Sequence, residues 1–175
     1  WDFVARGGEV SDVTKAVEDH GLIVPSVIAM RQWGDFEGWE HQLVLDEARR
    51  RFALGARLGA PYIVATPPLE NPETSHLAGR YKELLQIGRE EGIKPTFEYI
   101  SFFKSVHTLK QAWEIIQEAD DPDATLILDA FHNWNSGSTE GDLLSIPLDW
   151  ISHYHIDDAD PQKAPLYELL DLFVL

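Results

Sequence analysis

Residues 75–100, SHLAGRYKELLQIGREEGIKPTFEYI, contain one full unit of a repeating plan. A helical pattern runs from about residue 75 to Glu91 and stops at Gly92, and residues 95–100 (PTFEYI) then make a strand. The same order recurs on both sides. Upstream, Leu43, Leu45, Ala48, Phe52, Ala53, Ala56 and Leu58 mark a helix closed by Gly59, and residues 61–66 (PYIVAT) form a strand stopped by Pro67 and Pro68. Earlier still, residues 11–20 predict a helix capped by Ser11, with Val13, Ala16 and Val17 at helical spacing and Gly21 at its end. The apolar run 22–29 (LIVPSVIA) follows as a strand buried on both sides, with Pro25 at a point where its missing N–H is tolerated. Downstream, a helix is expected over 109–119, a fourth strand over 125–129 (TLILD) and a fifth over 152–156 (SHYHI). Strict alternation of helices with short apolar strands argues for parallel β/α units. No stretch rich in Pro, Gly and Ser divides the chain, so residues 1–175 read as a single domain.

Composition narrows the function. The 175 residues are 44% hydrophobic and 25% charged, ordinary for one domain with a core of its own. A net charge of -16 repels a phosphate backbone, so nucleic acid is not an expected partner. The basic cluster Arg49, Arg50 and Arg51 sits beside Asp46 and Glu47 in a helical pattern and reads as a solvated helix face. Without cysteine there is neither a disulfide framework nor a thiolate metal site, which is compatible with a reducing cytoplasm. No apolar run approaches the roughly 18 residues of a membrane span, and the first residues lack the shape of a signal peptide. A start at Trp1 points to a truncated or processed N-terminus.

Polar residues at strand ends carry the chemistry, because ligands gather at the carboxyl ends of parallel strands. Glu98 closes the third strand, Asp129 the fourth, and His155 lies near the end of the fifth. Alternation sets Thr96, Glu98 and Ile100 on one face and Phe97 with Tyr99 on the other, so Glu98 is expected to point inward while the aromatics meet covering helices. A glutamate paired with a buried Arg or Lys also fits that position, and Asp129 also fits a cap or turn aspartate. His132, three residues further on, is expected in the loop. His153, His155 and Asp157 share one face, and two histidines with a carboxylate there favour metal binding or proton transfer. Imidazole with carboxylate oxygens suits several divalent metals and selects among them poorly.

Residues 96–99 (TFEY), 126–132 (LILDAFH) and 153–158 (HYHIDD) resemble, in that order, strands of the sugar isomerase and epimerase family with a xylose-isomerase-like barrel. Within it the resemblance is closest to inosose isomerases, and residues 53–67 (ALGARLGAPYIVATP) are also similar. It covers the chain from about Leu45 to Asp160. The resemblance implies a parallel (β/α)8 TIM barrel. A closed barrel usually needs about 250 residues, so roughly two β/α units, including the first and last strands, are expected to lie outside this sequence. It further implies that Glu98, Asp129 and His155 bind one divalent metal ion (Zn, Mn, Mg or Co), with His155 chosen over His153 because it matches the "HIDD" phrase. The family's fourth ligand, a glutamate on its last strand, is expected beyond Leu175.

The activity implied is isomerisation or epimerisation of a small sugar or inositol-derived hydroxyketone through an enediolate stabilised by the metal. Glu98 is the first candidate for the base and His132 the second, since an imidazole suits proton transfer near neutrality. His132, Trp33, Trp134 and Asp157 are the candidate substrate contacts, with Phe131 as a further pocket wall. The alternative is a dehydratase of inosose or 3-dehydroshikimate type on the same metal site. A repair nuclease of similar fold is disfavoured by the acidic net charge. The partner expected is a sugar or polyol; a homodimer is allowed.

Overall fold

The computed structural model describes residues 2–69 and 73–158. Positions 159 and 160, where the resembling stretch ends, lie outside them. Helices α1 (Asp2–Ala5) and α2 (Val10–Asp19) lead into strand β1 (Ser26–Met30). Then α3 (Gly38–Arg57), β2 (Tyr62–Ala65), α4 (Thr74–Glu91), β3 (Lys94–Phe97), α5 (Leu109–Ala119) and β4 (Leu126–Asp129) alternate as expected. Two short helices, α6 (Ala130–Ser136) and α7 (Glu140–Leu144), precede a 3-10 turn and β5 (Ile151–His155).

The best-bounded helices carry the clearest terminal chemistry. In α5, Thr108 Oγ1 accepts from the Gln111 N–H at 3.3 Å while Gln111 Oε1 accepts from the Thr108 N–H at 3.0 Å, a reciprocal box that fixes the first turn. Helix α4 ends at Gly92 with φ 79, in the left-handed region, and the Gly92 N–H closes the last turn on Gly88 O at 2.9 Å. A Cβ at Gly88 would stand 2.5 Å from Ile93 O, so the approach of α4 to β3 depends on that glycine. Two expectations fail locally. Ser11 does not cap α2, which begins one residue earlier behind Glu9 and has no side-chain cap. The run 22–29 is not wholly strand: pairing starts at Ser26, and Leu22 and Ile23 are 63% and 85% exposed, because Pro25 precedes the first paired residue.

All five strands are parallel and stand in the order β1-β2-β3-β4-β5. A doubly wound open sheet reverses its strand order at a switch point, whereas this order never reverses, as in one side of a barrel. The faces separate accordingly. Ile63, Ala65, Phe97, Leu126 and Leu128 join residues of α3, α4 and α5 in the large core, while Ala29, Val64 and Ile127 form a small cluster of their own inside the curl. Contacts between strands that are not neighbours measure that curl. Tyr62 of β2 and His153 of β5 have ring centroids 5.8 Å apart, although three strand steps in a flat sheet would span about 14 Å. Thr96 of β3 and Ser152 of β5 meet at 2.7 Å, and Ser152 Oγ also donates to Leu126 O of the intervening strand at 3.0 Å. The described residues therefore form five strands of an incomplete TIM barrel, three short of eight.

The arginine cluster lies on a charged helix face: Arg50 and Arg51 pair with Glu47 at 3.0 and 2.7 Å, and Arg49 reaches Glu90 at 3.7 Å. Among the described residues no helix is long and apolar enough to cross a membrane.

Strand β3 and strand β4 share a single register pair, Phe97 with Leu126. Beside it, the buried Tyr81 hydroxyl lies 2.9 Å from Pro95 O and 3.1 Å from Thr125 O, bridging the two strands from α4. Removing it leaves buried carbonyls with fewer donors, so Tyr81→Phe should lower unfolding free energy by about 1–3 kcal/mol, read as a lower urea midpoint at unchanged slope. An unshifted midpoint would show that the bridge contributes nothing.

Candidate metal centre

Three strand ends deliver the candidate ligands to one point. Glu98 sits one residue past β3, where its backbone N–H donates to Ala65 O at 3.1 Å and holds the turn against β2. Asp129 is the last residue of β4 and His155 the last of β5. His155 Nδ1 lies 3.1 Å from Glu98 Oε1 and 3.6 Å from Asp129 Oδ2. Both carboxylates are buried, at 7% and 5% exposure, which a charged group tolerates only with partners of opposite charge or strong donors.

Asp129 serves twice. Its Oδ1 accepts from the His132 N–H at 2.7 Å and caps α6, while Oδ2 faces His155. The cap reading and the ligand reading of Asp129 are thus compatible, one for each oxygen. The same cap corrects the placement of His132. It lies in helix α6 rather than in a loop, because Asp129 starts a helix that Gly137, with φ 76, ends only two turns later. Too short to show a periodic apolar pattern, α6 left no helical signature in the sequence.

His132 is buried and ringed by Tyr99, Phe102 and Phe131, with ring centroids at 6.2, 5.6 and 5.4 Å. One of its ring nitrogens and carboxylate oxygens of Glu98 and Asp129 lie within 4.8 Å of one another, an arrangement able to hold a metal ion. Two histidines, His132 and His155, therefore face the same acidic pair. Ser101 approaches His132 Nδ1 with its hydroxyl at 3.1 Å and its backbone N–H at 3.4 Å, and Asn135 Nδ2 donates to Ser101 Oγ at 3.0 Å.

Environment separates the two imidazoles. Burial pushes His132 below its ordinary value, outweighing the attraction of Asp129 and Glu98. His155 is raised instead, first by its hydrogen bond to Glu98 and then, against its own burial, by the charges of Glu98, Asp129 and Asp157. Asp157 is raised by a hydrogen bond with Asp129, by burial and by the Asp129 charge. Two buried carboxyl groups facing one imidazole leave an excess of acidic groups in a small volume. Oxygen and nitrogen donors with that excess are the chemistry a hard or borderline divalent cation satisfies.

The remaining candidates divide. Asp157 is brought to the centre through Asp129. His153 shares a face with His155, ring centroids 5.1 Å apart, and is lowered by burial and then by the His155 charge. Its two ring nitrogens are buried without a hydrogen-bond partner. Trp134 lies on α6, 36% exposed and tilted against Phe131 at 6.2 Å. Trp33 is not brought to the site. It is fully buried on the helix-facing side against Phe97 and Tyr81, with its indole N–H donating to Thr66 O at 2.6 Å. Ser101, Asn135 and Phe102 are near the centre without having been singled out in the sequence. Only the placement of Ser101 three residues after Glu98 hinted at it.

The 3-dehydroshikimate dehydratase of Pseudomonas aeruginosa is 26% identical over 166 residues, covering 90% of this chain and 25% of that protein. The inosose isomerase of Halalkalibacterium halodurans is 29% identical over 126 residues, covering 67% of this chain and 44% of that protein. The chain thus spans a quarter to less than half the length of these relatives. A crystal structure described as IOLI protein with a binding zinc atom superposes with a TM-score of 0.81 at 22% identity, covering 90% of this chain and 59% of that one, a likeness of fold. The family described as xylose isomerase-like TIM barrel matches residues 2–168, and the chain belongs to it.

Proposed function

We propose that this chain carries the metal-binding part of a divalent-metal-dependent isomerase or epimerase acting on a small sugar or inositol-derived hydroxyketone. The convergence of Glu98, Asp129 and His155 from three consecutive strand ends carries this reading. Those three side chains hold the metal ion. When bound, a divalent cation supplies Lewis acidity, drawing off negative charge that grows on a substrate oxygen as a neighbouring C–H loses its proton. The residues do the rest. Glu98, facing the centre from the inner side of β3, is placed to take that proton and return it to the adjacent carbon. His132, held in its aromatic ring of neighbours, orients a substrate hydroxyl or carbonyl. Phe131 and Trp134 wall the side nearest α6, and Asp157 offers a further acceptor to a hydroxyl group. The names of the isomerase and dehydratase relatives support chemistry at a carbon next to a carbonyl, and both reactions begin with the same proton loss.

Calorimetric titration of the metal-free chain with zinc should show one site, and Glu98→Gln should weaken it by on the order of a hundredfold. Full retention of affinity in a folded Glu98→Gln chain would remove the site. Binding needs His155 neutral. Because its neighbours raise its pKa, protons compete up to a higher pH than for a free histidine. Zinc affinity should therefore be full above that raised pKa and fall about tenfold per pH unit below it. Affinity flat down to pH 5 would exclude His155 as a ligand.

For the reaction, the metal-loaded protein is incubated with 2-keto-inositol, ketohexoses or 3-dehydroshikimate in deuterated water. Deuterium incorporation without loss of water is the expected outcome, and a new conjugated absorbance would mark a dehydratase instead.

A further inference from the structure

We propose that Ser101 and Asn135 are positioning residues that fix His132 as its Nε2–H tautomer, so that it presents a donor to the substrate and leaves the metal to His155. The inference rests on the metal reading above but is carried by separate hydrogen bonds. Asn135 Nδ2 can only donate, and it donates to Ser101 Oγ at 3.0 Å. That leaves the Ser101 hydroxyl hydrogen available to His132 Nδ1, 3.1 Å away. The Ser101 backbone N–H, 3.4 Å from the same nitrogen, cannot accept at all. Because the backbone N–H can only donate, Nδ1 holds a lone pair, the hydroxyl donates to it as well, and the ring proton resides on Nε2.

A metal ion needs a lone pair. Nδ1 has one, but Ser101 occupies it, and Nε2 carries hydrogen. His132 thus belongs to the centre by distance and not by coordination. His155 has no such arrangement: its Nδ1 faces the Glu98 and Asp129 carboxylates themselves. The arrangement is local in sequence on one side, since Ser101 follows Glu98 by three residues, and local on the other, since Asn135 follows His132 by three on α6. The segment after β3 therefore carries both Glu98 and Ser101, and helix α6 both His132 and Asn135. Ser101 is buried while Asn135 is only partly so, which places the polar chain from the rim inward to the ring.

The test uses the full chain labelled with nitrogen-15 histidine, with the His132 ring signals identified by their loss in His132→Gln. Long-range proton–nitrogen spectra are recorded without metal and with one equivalent of zinc. Expected is an unprotonated Nδ1 and a protonated Nε2 in both states, with zinc moving the His155 signals and not those of His132. Asn135→Asp replaces the donor by an acceptor, which would take the Ser101 hydroxyl hydrogen and leave Oγ to accept. That variant should shift His132 measurably toward the Nδ1–H form, and Asn135→Leu and Ser101→Ala should broaden the preference without changing zinc affinity beyond about twofold. Far-ultraviolet circular dichroism checks that each variant is folded. A protonated Nδ1 in the unmodified chain, or coordination of zinc through His132, would overturn the proposal. Absence of zinc binding altogether would instead overturn the metal reading, while the tautomer result in the metal-free chain would still stand or fall on its own.

Discussion

The curl of the parallel sheet is the constraint on which everything else depends. In a flat sheet the ends of β3 and β5 would stand about 10 Å apart, too far for Glu98 to reach His155. Here those side chains are 3.1 Å apart. The same bending brings Tyr62 of β2 under His153 of β5 and closes Thr96 on Ser152. Among the described residues, α3, α4 and α5 bury one face of the sheet in a continuous core, while the apolar cluster on the inner face is the small one of Ala29, Val64 and Ile127. A large outer layer around a small inner layer bends the sheet toward the helix-free side, and that is where the strand ends present their polar groups.

Much of this plan is legible in the sequence. Helix α5 has the expected bounds because Thr108 and Gln111 close its start, and α4 stops where Gly92 can turn left-handed. Alternation along residues 96–99 assigns the inner and outer faces of β3 correctly, since Phe97 and Tyr99 join the helix-facing core. What escapes the sequence is contact between distant segments. Trp33 looks like a pocket wall because it lies in a loop after a strand, yet Phe97 and Tyr81 receive it on the far side of the sheet. Tyr81 looks like any helix aromatic, and its bridging of β3 and β4 exists only once both carbonyls converge. Helix α6 is hidden because two turns cannot show a period. Ser101 and Asn135 are ordinary polar residues until His132 stands between them.

At the candidate centre, electrostatics and packing pull in different directions, and the compromise is visible residue by residue. Burying Glu98 and Asp129 is unfavourable unless positive charge or donors compensate. Asp129 meets part of that need through the His132 backbone N–H, which ties its Oδ1 to the start of a helix whose dipole favours a negative charge there. Glu98 meets it through His155. Asp157 is pushed up by its nearness to Asp129, a carboxyl beside a carboxyl favouring the protonated form.

The two histidines show how one fold gives chemically identical side chains different surroundings. His155 ends a strand and is half-buried among carboxylates, so its environment favours whatever positive charge is available, proton or metal. His132 is enclosed by three aromatic rings and supplied with donors at Nδ1, which favours the neutral ring. Backbone groups fix both settings: the Ser101 N–H donates to His132 Nδ1, and His155 is registered opposite Asp129 by the β4–β5 ladder. The contrast in their surroundings is therefore set by strand register and turn geometry, before any ligand arrives.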